Sequence, residues 1–489
     1  MDSPPVTWMF VLVVIGLIGG EMGGVKASQS CRFPAIYNFG DSNSDTGGSS
    51  SAFEETTLPN GMTFFRKPSA RLCDGRLIID FIAKVSLSLS RSRQWFHHHH
   101  HRLPLPTLPT PLFPPYLADR SPSLSPSSLS SLPSRRRSIT STAASKVNKV
   151  LWLRSSSNSG LGSGSKRSEG SPSRRREERE EFLYPFWSLS KSVSGEKKSE
   201  NLKLPFLNAY LDSIGTSYRH GANFAVAGSS VLKDGGYSPF HLDYQVLQFI
   251  QFKKRTTALY NQLTNNGKKQ ISPCNRNLPL PNDFSKALYT VDIGQNDLSY
   301  GLKNYPGKLQ EIIPEIITMF AQAIHKLYKE GARFFWVHNT GPLGCLPFYL
   351  DRLPANSGNL LDQTGCVKPT NEIAQEYNRQ LKDRVSQLKA NLSDATFTYV
   401  DVYSAKYALI SNAKNLGFDD IKKFYDLQCG KTEIVNGTVL GKCNDPSKLI
   451  SWDNVHYSEA ANLLLSKQII NGSLSHPHVS IAEACHKLP

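Results

Sequence analysis

Eight cysteines stand in 489 residues, at positions 31, 73, 274, 345, 366, 429, 443 and 485, and no two of them form a Cys-x-x-Cys pair. That absence argues against a zinc ribbon and against a thioredoxin-like redox site. Internal repeats are also missing, which argues against a solenoid or propeller. Long apolar runs are scarce. The run Trp8 to Ile18 (WMFVLVVIGLI) is too short to span a bilayer comfortably, and no second run of spanning length follows. Small residues come after it (Gly19, Gly20, Gly23, Gly24, Ala27), so residues 1–27 read as a secretory signal cleaved near Ala27 or Ser28. No Lys or Arg precedes the run, and a membrane anchor is the competing reading.

Charge of one sign is scarce too, once its location is considered. The formal net charge is +16, but residues 84–199 hold 20 of the 56 basic and 7 of the 40 acidic residues. The remaining 36 basic and 33 acidic residues nearly cancel. A nucleic-acid-binding reading of the whole chain would rest on averaging over that one block. The block is a Ser, Leu, Pro and Arg mixture without cysteine or sustained periodicity, and such a composition predicts disorder. Its His97 to His101 run lacks the fixed scaffold a metal site needs. Deleting it joins DGRLIIDFIA to ENLKLPFLNAYL, a helix running into a Pro-containing loop. Residues 84–199 therefore read as an intron retained in the coding sequence, with a genuine basic surface loop as the alternative. The domain proper is 28–83 together with 200–489.

Within it, apolar β-prone runs alternate with helical periods. Strands are expected at residues 33–39, 221–228, 287–293, 332–338 and 396–402. Helices are expected at residues 75–83, 312–328 and 371–392, after the fifth strand, and after Asn454. Alternation of this kind predicts one α/β domain: a three-layer sandwich around a five-stranded parallel sheet.

Polar signals fall at the ends of these strands. Gly40-Asp41-Ser42 follows the first, Gly228 closes the second, Gly294-Gln295-Asn296-Asp297 follows the third, and Asp453-Asn454-Val455-His456 precedes the last helix. Each is an ordinary turn or cap sequence taken alone. Four in chain order at strand or loop ends suggest one site, since ligands of open α/β sheets bind at the carboxyl ends of the strands. A serine nucleophile needs a base, and the base needs an acid to hold its tautomer. The Asp-x-x-His spacing lets one loop supply both, His456 for Ser42 and Asp453 for the far ring nitrogen. Backbone N–H groups of Ser42 and Gly228 and the amide of Asn296 would face a developing oxyanion, donors worth about 2.7–4 kcal/mol each. Such a site needs neither metal nor cofactor.

The stretches FGDSNSDTGG, GANFAVAGSS, DIGQNDL and WDNVHYSEAAN resemble the plant GDSL esterase/lipases of the SGNH hydrolase superfamily, in the branch with early nodulin-like and acetyl-esterase-like members. The resemblance implies a flavodoxin-like fold and hydrolysis of carboxylic esters outside the cell. It implies Ser42 as nucleophile, Gly228 and Asn296 as oxyanion donors, His456 as base and Asp453 as its acid. Around Cys429 the chain is shorter than such relatives, which often carry a Cys-Cys-Gly segment there. Asn391, Asn436 and Asn471 are glycosylation acceptors by pattern, in keeping with export. Cys345 with Cys366 and Cys429 with Cys443 are near enough in sequence to pair; the full connectivity stays open. The partner expected is a small or polymer-bound ester, with no specific nucleic acid and no stable membrane anchor. The alternatives are a catalytically silent or misfolded product of a faulty coding sequence, and a glycan- or lipid-binding protein.

Overall fold

Five short strands with almost every residue buried form the centre of the molecule: β1 (Ile36–Gly40), β2 (Gly221–Asn223), β3 (Leu288–Asp292), β4 (Phe334–His338) and β5 (Thr396–Val400). Strands covered on both faces read as continuous apolar runs, and these do. The structure, a computed structural model, describes residues 30–91, 206–265, 277–354, 356–419, 429–430, 432–435, 438–441, 443 and 445–486. The expectations for the signal segment, the pentahistidine run, Cys274, Asn436 and nearly all of the basic block lie outside these residues.

The sheet runs β2-β1-β3-β4-β5, all parallel, and ends in a sixth strand, β8 (Ser475–His476), paired antiparallel to β5. The parallel five match the sequence reading. The sixth is a correction: two residues are too few to show a period of two. Helices α2 (Leu242–Asn265), α4 (Leu309–Lys329) and α5 (Lys368–Asn391) pack side by side on one face. Helices α1 (Ile78–Arg91), α6 (Val402–Ser411) and α7 (Glu459–Asn471) form the other layer. The short α3 (Gln295–Asn304) follows β3, and a hairpin of β6 (Thr432–Val435) and β7 (Thr438–Gly441) lies apart from the main sheet. The described residues belong to a single compact unit.

The order 2-1-3-4-5 reverses direction between β1 and β3, and such a switch point opens a crevice at the carboxyl ends. Aromatic rings fill the α2 side beneath it. Tyr37 stacks on Phe284 at 5.2 Å and meets Phe249 edge-on, while Phe335 stacks on Phe397 at 4.7 Å. The second strand stops at Asn223, shorter than expected, although Phe224 and Val226 still donate to the Asn38 and Gly40 carbonyls of β1 at 2.8 and 3.3 Å before the chain turns away at Gly228. Helix α1 continues past Ala83 to Arg91, so the first residues of the basic block extend a helix. Among the described residues three disulfides are present: Cys345–Cys366, Cys429–Cys443, and Cys31–Cys485, which ties the start of the domain to its end. Cys73 is a free, buried thiol.

Candidate active site

Gly40 ends β1 where no side chain fits: a Cβ there would lie 2.5 Å from both the Asp292 carbonyl oxygen and Ser44 Oγ. Gln245 of α2 pairs with its backbone twice, accepting from Gly40 N–H at 2.9 Å and donating to its carbonyl at 2.8 Å. The chain then turns sharply, Ser44 N–H donating to Asp41 O at 3.1 Å, and Ser42 sits in the turn only 6% exposed. Asn38 Nδ2 donates to Ser44 Oγ and to Asn223 Oδ1, while Asn223 Nδ2 donates to the Ser44 carbonyl and to Thr46 Oγ1. The turn that carries Ser42 is thereby clamped between β1 and β2.

Asp45 was not singled out from sequence, yet it joins this turn to the next wall. Its carboxylate accepts backbone N–H bonds from Gly47, Gly48 and Ser49, and from Ala227 across the crevice at 2.8 Å. Ala227 precedes Gly228, whose φ of +78° suits glycine and turns the chain back. Asn296 Nδ2 donates to the Ser229 carbonyl at 2.9 Å, which fixes the orientation of the amide and leaves its second N–H to bond elsewhere. Next to it, Asp297 accepts from the backbone N–H groups of Val231 and Leu232 at 2.8 and 2.9 Å. The structure thus places the Asn296 amide against Ser229, the residue that follows Gly228. Burial pushes the Asp297 carboxyl up to about 7 against these hydrogen bonds.

The acid and base are assembled on one loop. His456 Nδ1 lies 2.6 Å from Asp453 Oδ2, and Asp453 Oδ1 accepts the N–H groups of Val455 and His456 at 3.1 and 2.8 Å. Burial disfavours the charged forms of both. The mutual attraction wins, holding His456 above its ordinary 6.5 and Asp453 below its ordinary 3.8. His456 Nε2 is buried and makes no hydrogen bond, so the Ser42–His456 bond of a working triad is not formed here. Catalytic hydrogen bonds commonly tighten only with substrate bound. The two halves are nevertheless electrostatic neighbours, because Asp41, adjoining Ser42, raises the His456 pKa.

Beneath them lies a charged cluster that the sequence reading missed. Asp41 is pushed up to about 7 by burial and by Asp292, while two hydrogen bonds from Asn43 to its Oδ1 oppose the shift. His338 Nδ1 approaches Asp292 Oδ2 at 3.3 Å. Lys406 of α6, 5% exposed, points its ammonium at the face of the Tyr457 ring, 4.6 Å from the centroid. Burial depresses its pKa, and Asp292 and Asp41 hold it up. A small apolar recess bounded by Leu346, Leu350, Ile410 and Ile450 opens beside His456. Among the described residues the one Cys/His/carboxylate grouping close enough for a metal is Cys31, Cys485 and His486, and its two sulfurs are bonded to each other.

Residues 175–469 match the family described as GDSL-like Lipase/Acylhydrolase, a span that takes in Gly228, Asn296, Asp453 and His456. The chain belongs to this family. It is 39% identical to GDSL esterase/lipase At3g27950 of Arabidopsis thaliana, over 97% of this chain and 97% of that one. It is 36% identical to GDSL esterase/lipase ACHE of Zea mays, over 94% and 91% of the two chains. Alpha-L-fucosidase 3 of Arabidopsis thaliana is 33% identical, over 94% and 96%. As a GDSL-family member of this kind the protein is a hydrolase of ester bonds. The charged cluster, by contrast, had no signal in the sequence, because its members come from the turn after β1, from β3, β4 and α6, and meet only once the strand order is known.

Proposed function

We propose that the protein is a secreted serine carboxylester hydrolase that works through an acyl-enzyme. The observation that carries this is the Asp453–His456 pair, with a short Nδ1 to Oδ2 bond and a buried, unbonded Nε2 electrostatically close to Ser42's turn. Bound Nδ1–H fixes the tautomer, so the lone pair sits on Nε2 to take the Ser42 proton. The Ser42 oxygen attacks the ester carbonyl, and negative charge on the carbonyl oxygen falls to the N–H donors of Ser42, Gly228 and Asn296. His456 then gives its proton to the departing alcohol, leaving an ester on Ser42. Water attacks that ester with His456 again as base, and the acid leaves. The apolar recess beside His456 suits a short acyl or alcohol group.

Export is supported by the three disulfides, which persist in oxidising compartments. Asn391 and Asn471, both exposed at helix ends, are placed to carry glycans. The reading takes residues 1–27 as a cleaved signal and residues 84–199 as an insertion in one hydrolase domain.

The test is turnover of p-nitrophenyl acetate by the wild type, Ser42→Ala and Ser44→Ala, with an aryl α-L-fucoside alongside. Ester turnover lost in Ser42→Ala and retained in Ser44→Ala supports the reading. Equal rates in wild type and Ser42→Ala, or fucoside cleavage without ester cleavage, end it.

A further inference from the structure

Apart from the recess at His456, a groove runs between the start of α5 and one face of α6 and holds about 1020 Å³ of space, part of it open solvent. We propose that this groove is a carbohydrate-binding subsite, which holds the glycan portion of a polymer-bound ester while the acyl group reaches Ser42. The proposal rests on the ester-hydrolase reading and names its substrate class: a neutral glycan carrying O-acyl groups.

Tyr403 and Tyr407 stand one helical turn apart, their rings parallel to within 7° and 6.1 Å between centroids. The stacked pair presents aromatic surface on the groove wall. The two hydroxyls are tied down. Gln375 Nε2 donates to Tyr403 Oη at 2.8 Å, Thr364 Oγ1 donates to Tyr407 Oη at 2.8 Å, and Tyr407 donates to Asp362 Oδ2 at 3.1 Å. Rings held this way lose little freedom when something stacks on them. Around them stand Asp362, Glu372 and Lys368, so hydroxyl acceptors and donors ring the aromatic pair. A sugar ring has the matching surface. Its axial C–H bonds carry partial positive charge suited to the negative face of a tyrosine, and its hydroxyls radiate from the edge. Two carboxylates against one ammonium disfavour a polyanion, and a rim this polar disfavours a lipid chain.

Position links the groove to catalysis. Tyr403, Tyr407 and Ile410 share one stripe of α6, spaced four and three residues apart: Ile410 lines the recess at His456, and the two tyrosines line the groove. A helix rises about 1.5 Å per residue, so these seven positions span about 10 Å along the axis, and a chain of several sugars in the groove reaches the recess beside His456. The Cys345–Cys366 disulfide braces the shared wall. Cys345 lines the recess, and Leu361, Asp362 and Gln363 of the loop it closes line the groove.

Binding is measured on the full chain carrying Ser42→Ala, so that turnover plays no part, by calorimetric titration with xylohexaose, cellohexaose and hexagalacturonate. The expected result is saturable binding of at least one neutral hexasaccharide, weakened about tenfold or more by Tyr403→Ala with Tyr407→Ala. Glu372→Ala, at an exposed position whose loss leaves folding intact, is expected to weaken it several-fold. In the active enzyme, the tyrosine replacements raise KM for an O-acetylated xylo-oligosaccharide and leave kcat/KM for p-nitrophenyl acetate unchanged. Binding of no neutral hexasaccharide, preference for hexagalacturonate, or equal affinity in all variants overturns the proposal. Failure of the ester reading shows separately, as absent p-nitrophenyl acetate turnover in the unmutated chain.

Discussion

Replacing Asp453 by Asn keeps the size of the side chain and removes its charge from the pair that, in the proposed mechanism, activates Ser42. In the native site Oδ2 meets His456 Nδ1 at 2.6 Å and Oδ1 accepts two backbone N–H groups. Asparagine has one oxygen for these two duties. If it stays with the backbone, the NH₂ group faces Nδ1 and is bonded only by a ring that carries its proton on Nε2. That nitrogen then cannot accept from Ser42. If the amide flips, two N–H groups face an NH₂, at a cost of about 1–3 kcal/mol for each one left unpaired. Either outcome removes the working tautomer, and kcat/KM should fall about 10³–10⁴-fold, or about 4–5.5 kcal/mol of activation free energy.

A second signature separates this from general damage. His456 must be neutral to act as base, so activity rises with pH through its pKa, which Asp453 holds above 6.5. Without that charge, burial dominates and the acid limb moves to lower pH. The assay is kcat/KM for p-nitrophenyl acetate across the pH range, with thermal unfolding to confirm the fold. A loss below about tenfold, or an acid limb that stays in place, refutes the reasoning.

Lys406→Met should move the same limb the other way: the buried ammonium opposes a charged imidazole, so its removal raises the His456 pKa and activity appears only at higher pH. An unmoved limb would count against Lys406 acting on the base. Asn296→Ala should lower kcat by about 10²–10³ with little change in KM, and stability should drop by only about 1 kcal/mol for the lost bond to the Ser229 carbonyl. Parallel loss of stability and activity would mark Asn296 as structural. Asp45→Ala leaves four backbone N–H groups without their carboxylate, and a loss of at least about 3 kcal/mol is expected from denaturant unfolding; a smaller effect would mean the crevice walls are held apart from it.

How much of this was legible in the sequence follows the range of the interactions. Ser42, Gly228, Asn296, Asp453 and His456 stood out because each lies in a run whose turn chemistry is local. Asp45 sits in the same run as Ser42, and its bonds to Gly47, Gly48 and Ser49 are those of an ordinary turn or cap aspartate; only its partner Ala227, far along the chain, sets it apart. Helix α2 went unread because its inward residues (Leu242, Val246, Phe249, Phe252) are diluted by polar ones, among them the buried Gln245 that grips Gly40. Lys406 lies in DVYSAKYALI, an ordinary helical run; only the packing of α6 beside the site turns it inward. The pairings Cys345–Cys366 and Cys429–Cys443 were visible as proximity in sequence, whereas Cys31–Cys485 depends on where the ends of the domain meet.

The central claim is that the Ser42 oxygen is the nucleophile that His456 activates, and covalent trapping reads it directly. The full chain is treated with a fluorophosphonate, digested, and the adduct located by mass spectrometry, with His456→Ala treated in parallel. The account predicts one modified peptide bearing the adduct on Ser42, formed far more slowly in His456→Ala. An adduct on Ser44 or elsewhere, or labelling of Ser42 at the same rate without the imidazole, would contradict it.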